Sequence, residues 1–264
     1  METLKEREKT INNEIMTDGN LALKNTENPI YGTLENDSEL FTEKQLTGSY
    51  LVVKRCFDFL SSFAVSIVLL IPLAILALFV IIMDFGNPFY IQKRVGKDGK
   101  ELRMMKLRSM KRGADNLETM LTPEQLEEYR REYKLSDDPR LIGYHKPGDS
   151  KKCFGGFIRK TSLDELPQII WNICIKGDMS VVGPRPILDE ELQKNYTPAQ
   201  QKKLLSIKPG LTGYWQAYAR NDATYETGER QRMELYYVNN ASFMLDIKII
   251  FATIRSVLKG RGAK

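Results

Sequence analysis

The sequence predicts a mostly helical α/β fold set into one face of a membrane, and three observations carry that expectation. Residues 59–83, FLSSFAVSIVLLIPLAILALFVIIM, contain no charge, and they exceed the roughly 20 residues that a helix needs to cross a bilayer. Basic residues stand at both ends of this stretch, and Pro72 lies near its centre. The rest of the chain alternates capped polar helices with one short pair of strands, as an α/β body would.

Composition narrows the classes open to such a chain. Its 264 residues carry a net charge of +5, with 28% charged residues. That mild excess suits phosphate-bearing ligands or an anionic membrane surface, and no nucleic-acid partner is expected. Cys56, Cys153 and Cys174 are far apart with no metal-binding spacing, so free thiols in a reducing compartment are expected. His145 is the only histidine, which excludes a zinc site of several histidines, and nothing around it supports a Ser-His-Asp triad.

Taken in chain order, residues 1–46 are rich in Glu, Lys, Asn and Thr without a sustained period, and they read as a polar N-terminal tail. The apolar stretch that follows lies too far from the first residue, and lacks the cleavage site, to be a signal peptide. Pro72 removes a helix hydrogen bond at its middle. Lys54 and Arg55 precede it, and Lys93, Arg94, Lys97 and Lys100 follow, whereas a span normally keeps its positive loops on one side. This pattern fits a kinked, re-entrant helix that enters and leaves by one face. A single span with a proline kink is the alternative.

Residues 86–114 predict two short strands around Gly96-Lys97-Asp98-Gly99. This is also the most basic part of the chain, and Lys106 is its candidate for phosphate. Thr122 with Gln125 and Thr197 with Gln200 mark two capping boxes, each with proline at the first helical position. In the C-terminal segment, Phe243, Ile247, Ile250, Phe251, Ile254, Val257 and Leu258 fall on one helical face. A helix packed on the core and a helix lying on a membrane would both show that stripe.

The segment RKTSLDELPQ (159–168) places Asp164 beside Glu165. A capping box starting at Ser162 would put Pro167 at the fifth helical position, where a hydrogen bond is lost. A cap at Asp164 would put Pro167 in the first turn, where it is harmless. The same geometry allows chemistry. A helix N-terminus favours anions, Arg159 lies just upstream, and an aspartate held there could attack phosphorus. Attack of one anion on another needs charge neutralisation, which Mg²⁺ on Glu165 would supply. Downstream, Arg185 sits between Pro184 and Pro186, a rigid setting for a phosphate clamp or a plain surface turn. Residues 210–222 add an aromatic pair and Arg220, which would frame a nucleotide or sugar, or form a loop.

These segments, with KRCFDF (54–59), QKRVGKDGKELRMMKLRSM (92–110), KGDMSVVGPRP (176–186), KPGLTGYWQ (208–216) and ELYYVNNASFMLDIKII (234–250), form an ordered series over residues 50–263. The series resembles the bacterial sugar transferase family of monotopic polyprenyl-phosphate phosphoglycosyl transferases. The resemblance implies transfer of a hexose 1-phosphate from a UDP-sugar to undecaprenyl phosphate, with release of UMP. Asp164 would be the nucleophile and Glu165 the Mg²⁺ ligand. Arg159, Arg185, Arg220 and Lys106 would meet phosphate or nucleotide, and Pro72 would break the re-entrant helix. Two positions depart from the family pattern: Ile71 replaces a serine before the proline, and Ala219 replaces the glycine before Arg220.

The expected organisation is a tail over 1–46, a re-entrant membrane helix over 47–85, and a cytosolic catalytic domain over 86–264 with interfacial helices. It implies a catalytic unit with an unusual N-terminal extension, at the cytosolic face of a bacterial inner membrane. It would start a capsule or exopolysaccharide, with glucose or galactose favoured as the first sugar and N-acetylated sugars as the alternative, membrane lipids as further partners and a homo-oligomer compatible with the sequence. A catalytically silent, membrane-anchored assembly protein is the reading from another class, and the intact Asp164-Glu165 pair argues against it.

Overall fold

The protein is described by a computed structural model over residues 47–132, 135–219, 225 and 227–258. The expected tail (1–46) and Arg220 lie outside the described residues. Helix α1 (Gly48–Met83) is followed by an antiparallel hairpin, β1 (Phe89–Val95) and β2 (Glu101–Leu107), whose register runs from Phe89 opposite Leu107 to Val95 opposite Glu101. The turn is the expected one, and Asp98 takes a left-handed φ of 57° within it.

Helices α2 (Leu117–Met120), α3 (Pro123–Glu132) and α4 (Phe154–Lys160) come next. Helix α5 is composite: a 3₁₀ turn (Leu163–Glu165), an α turn (Leu166–Gln168) and a π-helical stretch (Ile169–Lys176). Strand β3 (Ser180–Val182) pairs in parallel with β4 (Gly210–Thr212), across α6 (Asp189–Asn195) and α7 (Pro198–Leu204). Helices α8 (Tyr214–Tyr218), α9 (Glu229–Asn240) and α10 (Phe243–Leu258) complete the described chain.

Both capping boxes form: Thr122 exchanges bonds with Gln125 at 3.1 and 3.3 Å, and Thr197 with Gln200 at 2.9 and 3.4 Å. The parallel β3–β4 pair has no clear trace in the sequence, because three-residue strands carry no period. Close approach there needs glycine. A Cβ on Gly210 would strike the Gly183 backbone, and one on Gly183 would fall 2.5 Å from the Lys208 carbonyl oxygen. The largest apolar core joins Val182, Leu192, Trp215, Met233 and Ile249.

Helix α1 is amphipathic the wrong way round for a water-soluble protein. Its buried positions include Asp58, Ser62 and Ser66, while Val52, Leu60, Ile67, Val68 and Ile71 are exposed. Ser66 Oγ donates to the Ser62 carbonyl at 2.6 Å, and Asp58 Oδ1 accepts the Val181 N–H at 2.9 Å. Helix α10 repeats the inversion. Asp246 and Ile249 are buried, whereas Phe243, Met244, Phe251 and Ile254 are exposed, Phe251 by 69%. Of the stripe seen in the sequence, Phe243, Phe251 and Ile254 face away from the core, whereas Ile250 packs against it. The helices join through Lys54 and Asp246 at 2.7 Å, and Tyr237 donates to Asp246 at 2.6 Å.

Both ends of α1 are fastened to one body. Near its start, the Arg55 guanidinium donates to the Ile173 carbonyl at 2.9 Å. Past its end, Asp84 accepts from Arg108 at 2.7 Å and from the Arg112 N–H at 3.1 Å. Between them Leu73, Ala77 and Val80 pack on Leu107, Ile142 and Ile158. Helical structure continues through Pro72. The proline ring removes one donor and crowds the carbonyl four residues back, which bends a helix without ending it.

Candidate active site

The dyad is delivered by a sharp turn. Helix α4 ends at Lys160, and Ser162 then adopts a left-handed φ of 56°, a conformation that costs a non-glycine residue about 1 kcal/mol. The Ser162 side chain caps nothing, so the capping box read from the sequence does not form. Pro167 falls in the first turn of the α-helical part, as the register capped at Asp164 requires. Leu163 packs against the cluster that holds Leu73, Ala77 and Val80 of α1. The residues after it, Asp164 and Glu165, are half-buried.

Lys106 reaches the dyad from β2. Its Nζ lies 3.3 Å from Glu165 Oε1. Its strand is tied to α5 by Asn172, which is fully buried. Asn172 accepts the Met105 N–H at 3.0 Å and donates to the Arg103 carbonyl at 2.9 Å and to Asp178 at 3.0 Å. Burial, with the neighbouring Glu165 charge, pushes the Asp164 carboxyl up to about 6, and Lys106 and Arg159 pull against that rise. Asp164 is thus mostly ionised at neutral pH and flanked by two cations. That arrangement can receive phosphate and present a nucleophilic oxygen to it.

Arg185 sits elsewhere. Its guanidinium lies 5.3 Å from the Trp215 ring centre, and Arg230 covers the same ring at 4.2 Å and Tyr225 at 3.9 Å. Arg94 pairs with Glu191 at 3.4 Å, and its guanidinium feels the charges of Arg185 and Arg230. The hairpin register relates this cluster to the dyad. Tyr90 lies opposite Lys106, and Arg94 follows four residues later on the same face, about 13 Å along the strand. Of the predicted site residues, the structure brings together Asp164, Glu165, Lys106 and Arg159, and sets Arg185 toward the other end of that face. Arg94, Arg230 and Glu234 were not singled out by sequence, since nothing local marks residues that meet through tertiary folding.

The fold and site describe a membrane-associated protein, with apolar helix faces turned outward and a carboxylate next to cations beside the cluster that one of them forms. Known proteins agree with that class. Residues 49–260 match the bacterial sugar transferase family. The chain is 41% identical over 214 residues to a UDP-galactose-lipid carrier transferase of Erwinia amylovora, covering 80% of this chain and 41% of that protein. It is 39% identical over 216 residues to the exopolysaccharide production protein ExoY of Rhizobium meliloti, covering 80% and 88%. It is 38% identical over 214 residues to an undecaprenyl-phosphate galactose phosphotransferase of Salmonella typhimurium, covering 80% and 41%. The chain thus spans about two-fifths of the length of the Erwinia and Salmonella proteins and most of the Rhizobium one. It belongs to the bacterial sugar transferase family.

Proposed function

We propose that this protein transfers a hexose 1-phosphate from a UDP-sugar to undecaprenyl phosphate, as the first membrane step of a surface glycan. The observation that carries the reading is Asp164, whose carboxyl feels the charges of Lys106 and Arg159 and directly follows Leu163, which packs on the apolar cluster of α1. An Asp164 carboxylate oxygen attacks the β-phosphorus, the bond to the bridging oxygen breaks, and UMP leaves with that electron pair. A phosphate oxygen of the polyprenyl acceptor then attacks the same phosphorus and frees the carboxylate. The product is a sugar linked to the lipid through a diphosphate.

Lys106 and Arg159 bind the phosphoryl oxygens and offset their charge. The donor set also fits Mg²⁺. Glu165 offers a partly exposed, hard carboxylate, and this ion is usually held by one or two carboxylates plus substrate phosphates and water. Glu165 would hold it, exchanging its contact with Lys106, and the ion would supply further neutralisation of the phosphates. The face from Lys106 to Arg94 is long enough for a nucleoside diphosphate, with the nucleotide end toward Arg94 and Arg185. The relatives' names support galactose as the first sugar to test.

The attachment of both ends of α1 to one body supports a re-entrant helix that bends near Pro72, with the body on the cytosolic face. A straight helix of 36 residues would be about 54 Å long, well beyond the ~30 Å hydrocarbon core. The outward stripe of α10 supports an interfacial position at the same surface. The reaction is tested by incubating purified protein with UDP-galactose, Mg²⁺ and a polyprenyl phosphate. UMP release that requires Asp164 is expected. No UMP from any UDP-sugar would overturn the reading in favour of an assembly role.

A further inference from the structure

Pro184-Arg185-Pro186 can offer one main-chain donor, because proline has no N–H. That donor, the Arg185 N–H, goes to Glu234 Oε2 at 3.1 Å. The flanks of the turn are held separately: the Pro184 carbonyl accepts the Gly210 N–H, and the Ile187 carbonyl accepts the Val95 N–H, both at 2.9 Å. Among the described residues, only Glu234 hydrogen-bonds the main chain of Arg185 itself.

Glu234 is an expensive residue to keep there. It is 2% exposed, and its Oε1 has no hydrogen-bond partner among the described residues. A buried carboxylate oxygen without a partner destabilises the fold, and an apolar side chain of similar size would pack at lower cost. Burial pushes its carboxyl to about 7 although Arg230 and Arg185 pull it down. Oε2 accepts a bond whether or not the carboxyl carries a proton. Its charge faces Arg230 and Arg185, and the one hydrogen bond its carboxyl makes among the described residues is the one from the Arg185 N–H. At its other end Arg185 rests on Trp215, so the residue is fixed at both main chain and guanidinium.

We propose that Glu234 is the positioning residue for Arg185: by taking the turn's one main-chain donor, it fixes where that guanidinium meets the nucleotide end of the substrate. This rests on the transferase reading above. The test is a double-mutant cycle on UMP release from UDP-galactose, with kcat and KM measured separately for Glu234→Leu, Arg185→Ala and the double variant, alongside Glu234→Gln. Glu234→Leu is expected to raise KM about tenfold, the size of one lost bond to a charged group. Glu234→Gln, which keeps an acceptor oxygen, should recover most of that loss. The double variant should be no worse than Arg185→Ala. Losses that multiply, or a glutamine variant as poor as the leucine one, would overturn the proposal.

Hydrogen exchange keeps the question open to experiment if Glu234→Leu fails to fold. Arg185 carries the only amide of the three-residue turn, and slow exchange there is expected in both the wild type and Glu234→Gln. Exchange at open-loop rates in the folded wild type would overturn the tether. Absence of UMP from the wild type would overturn the transferase reading, while UMP release with independent, multiplying losses would overturn the positioning role alone.

Discussion

In the proposed reaction Asp164 has to be an anion, yet burial and the neighbouring Glu165 shift its carboxyl toward the neutral form. Burial and Glu165 hold its carboxyl near 6, against about 4 in an unfolded chain. Two consequences have definite signs. The ionised fraction falls as pH drops through about 6, so kcat/KM is expected to decline on the acid side with a midpoint near that value. A profile flat from pH 7 to 5 would remove Asp164 as the attacking group. The native state also binds this proton more tightly than the unfolded chain, and so loses stability as pH rises from about 4 to about 6. Asp164→Asn relieves that cost, and at pH 7.5 it should raise Tm while abolishing turnover. A lower Tm would mean that the carboxylate stabilises the fold. At this scale the sequence was most informative: Asp164, Glu165 and Arg159 lie within seven residues and advertise their chemistry together. Lys106 was a candidate within a basic cluster, but its partnership with Glu165, 59 residues away in sequence, is made only by the fold.

Among the elements, those governed by local rules were legible in advance. Capping boxes, the β1–β2 turn and the apolar stripe of α10 depend on residues within a few positions of one another. The start of α5 was legible only in part. Two registers were open, and the left-handed Ser162 reconciles them by inserting a turn that neither anticipated. Asn172 was invisible, since its work is done across elements. It satisfies a strand N–H and a strand carbonyl at once, holding β2 against the π-helical part of α5. Replacing it with Leu leaves both backbone groups buried without a partner, at about 1–3 kcal/mol each. Asn172→Leu is therefore expected to lower stability by about 3 kcal/mol in denaturant unfolding, and to lower activity by freeing the strand that carries Lys106. A loss below about 0.5 kcal/mol would mean that water replaces those bonds.

For the whole molecule, the decisive feature is two helices with polar residues turned inward and apolar residues turned outward. Asp58 and Asp246 bind the body, while Val68, Ile71, Phe251 and Ile254 face away from it. The sequence showed the apolar stripes but not their direction, which depends on what each helix packs against. If α1 is re-entrant, tags at residue 1 and residue 264 label from the same side of the membrane in intact cells. Labelling from opposite sides would replace the re-entrant helix with a true span.

In the proposed reaction a carboxylate of this chain carries the phosphosugar. Protein incubated with UDP-galactose and Mg²⁺, without a polyprenyl acceptor, can be quenched in acid and analysed as peptides by mass spectrometry. A hexose phosphate on the peptide that contains Asp164, absent from Asp164→Asn and removed by undecaprenyl phosphate, is the result expected. An adduct on another residue, or full transfer with no adduct at any time point, would contradict it.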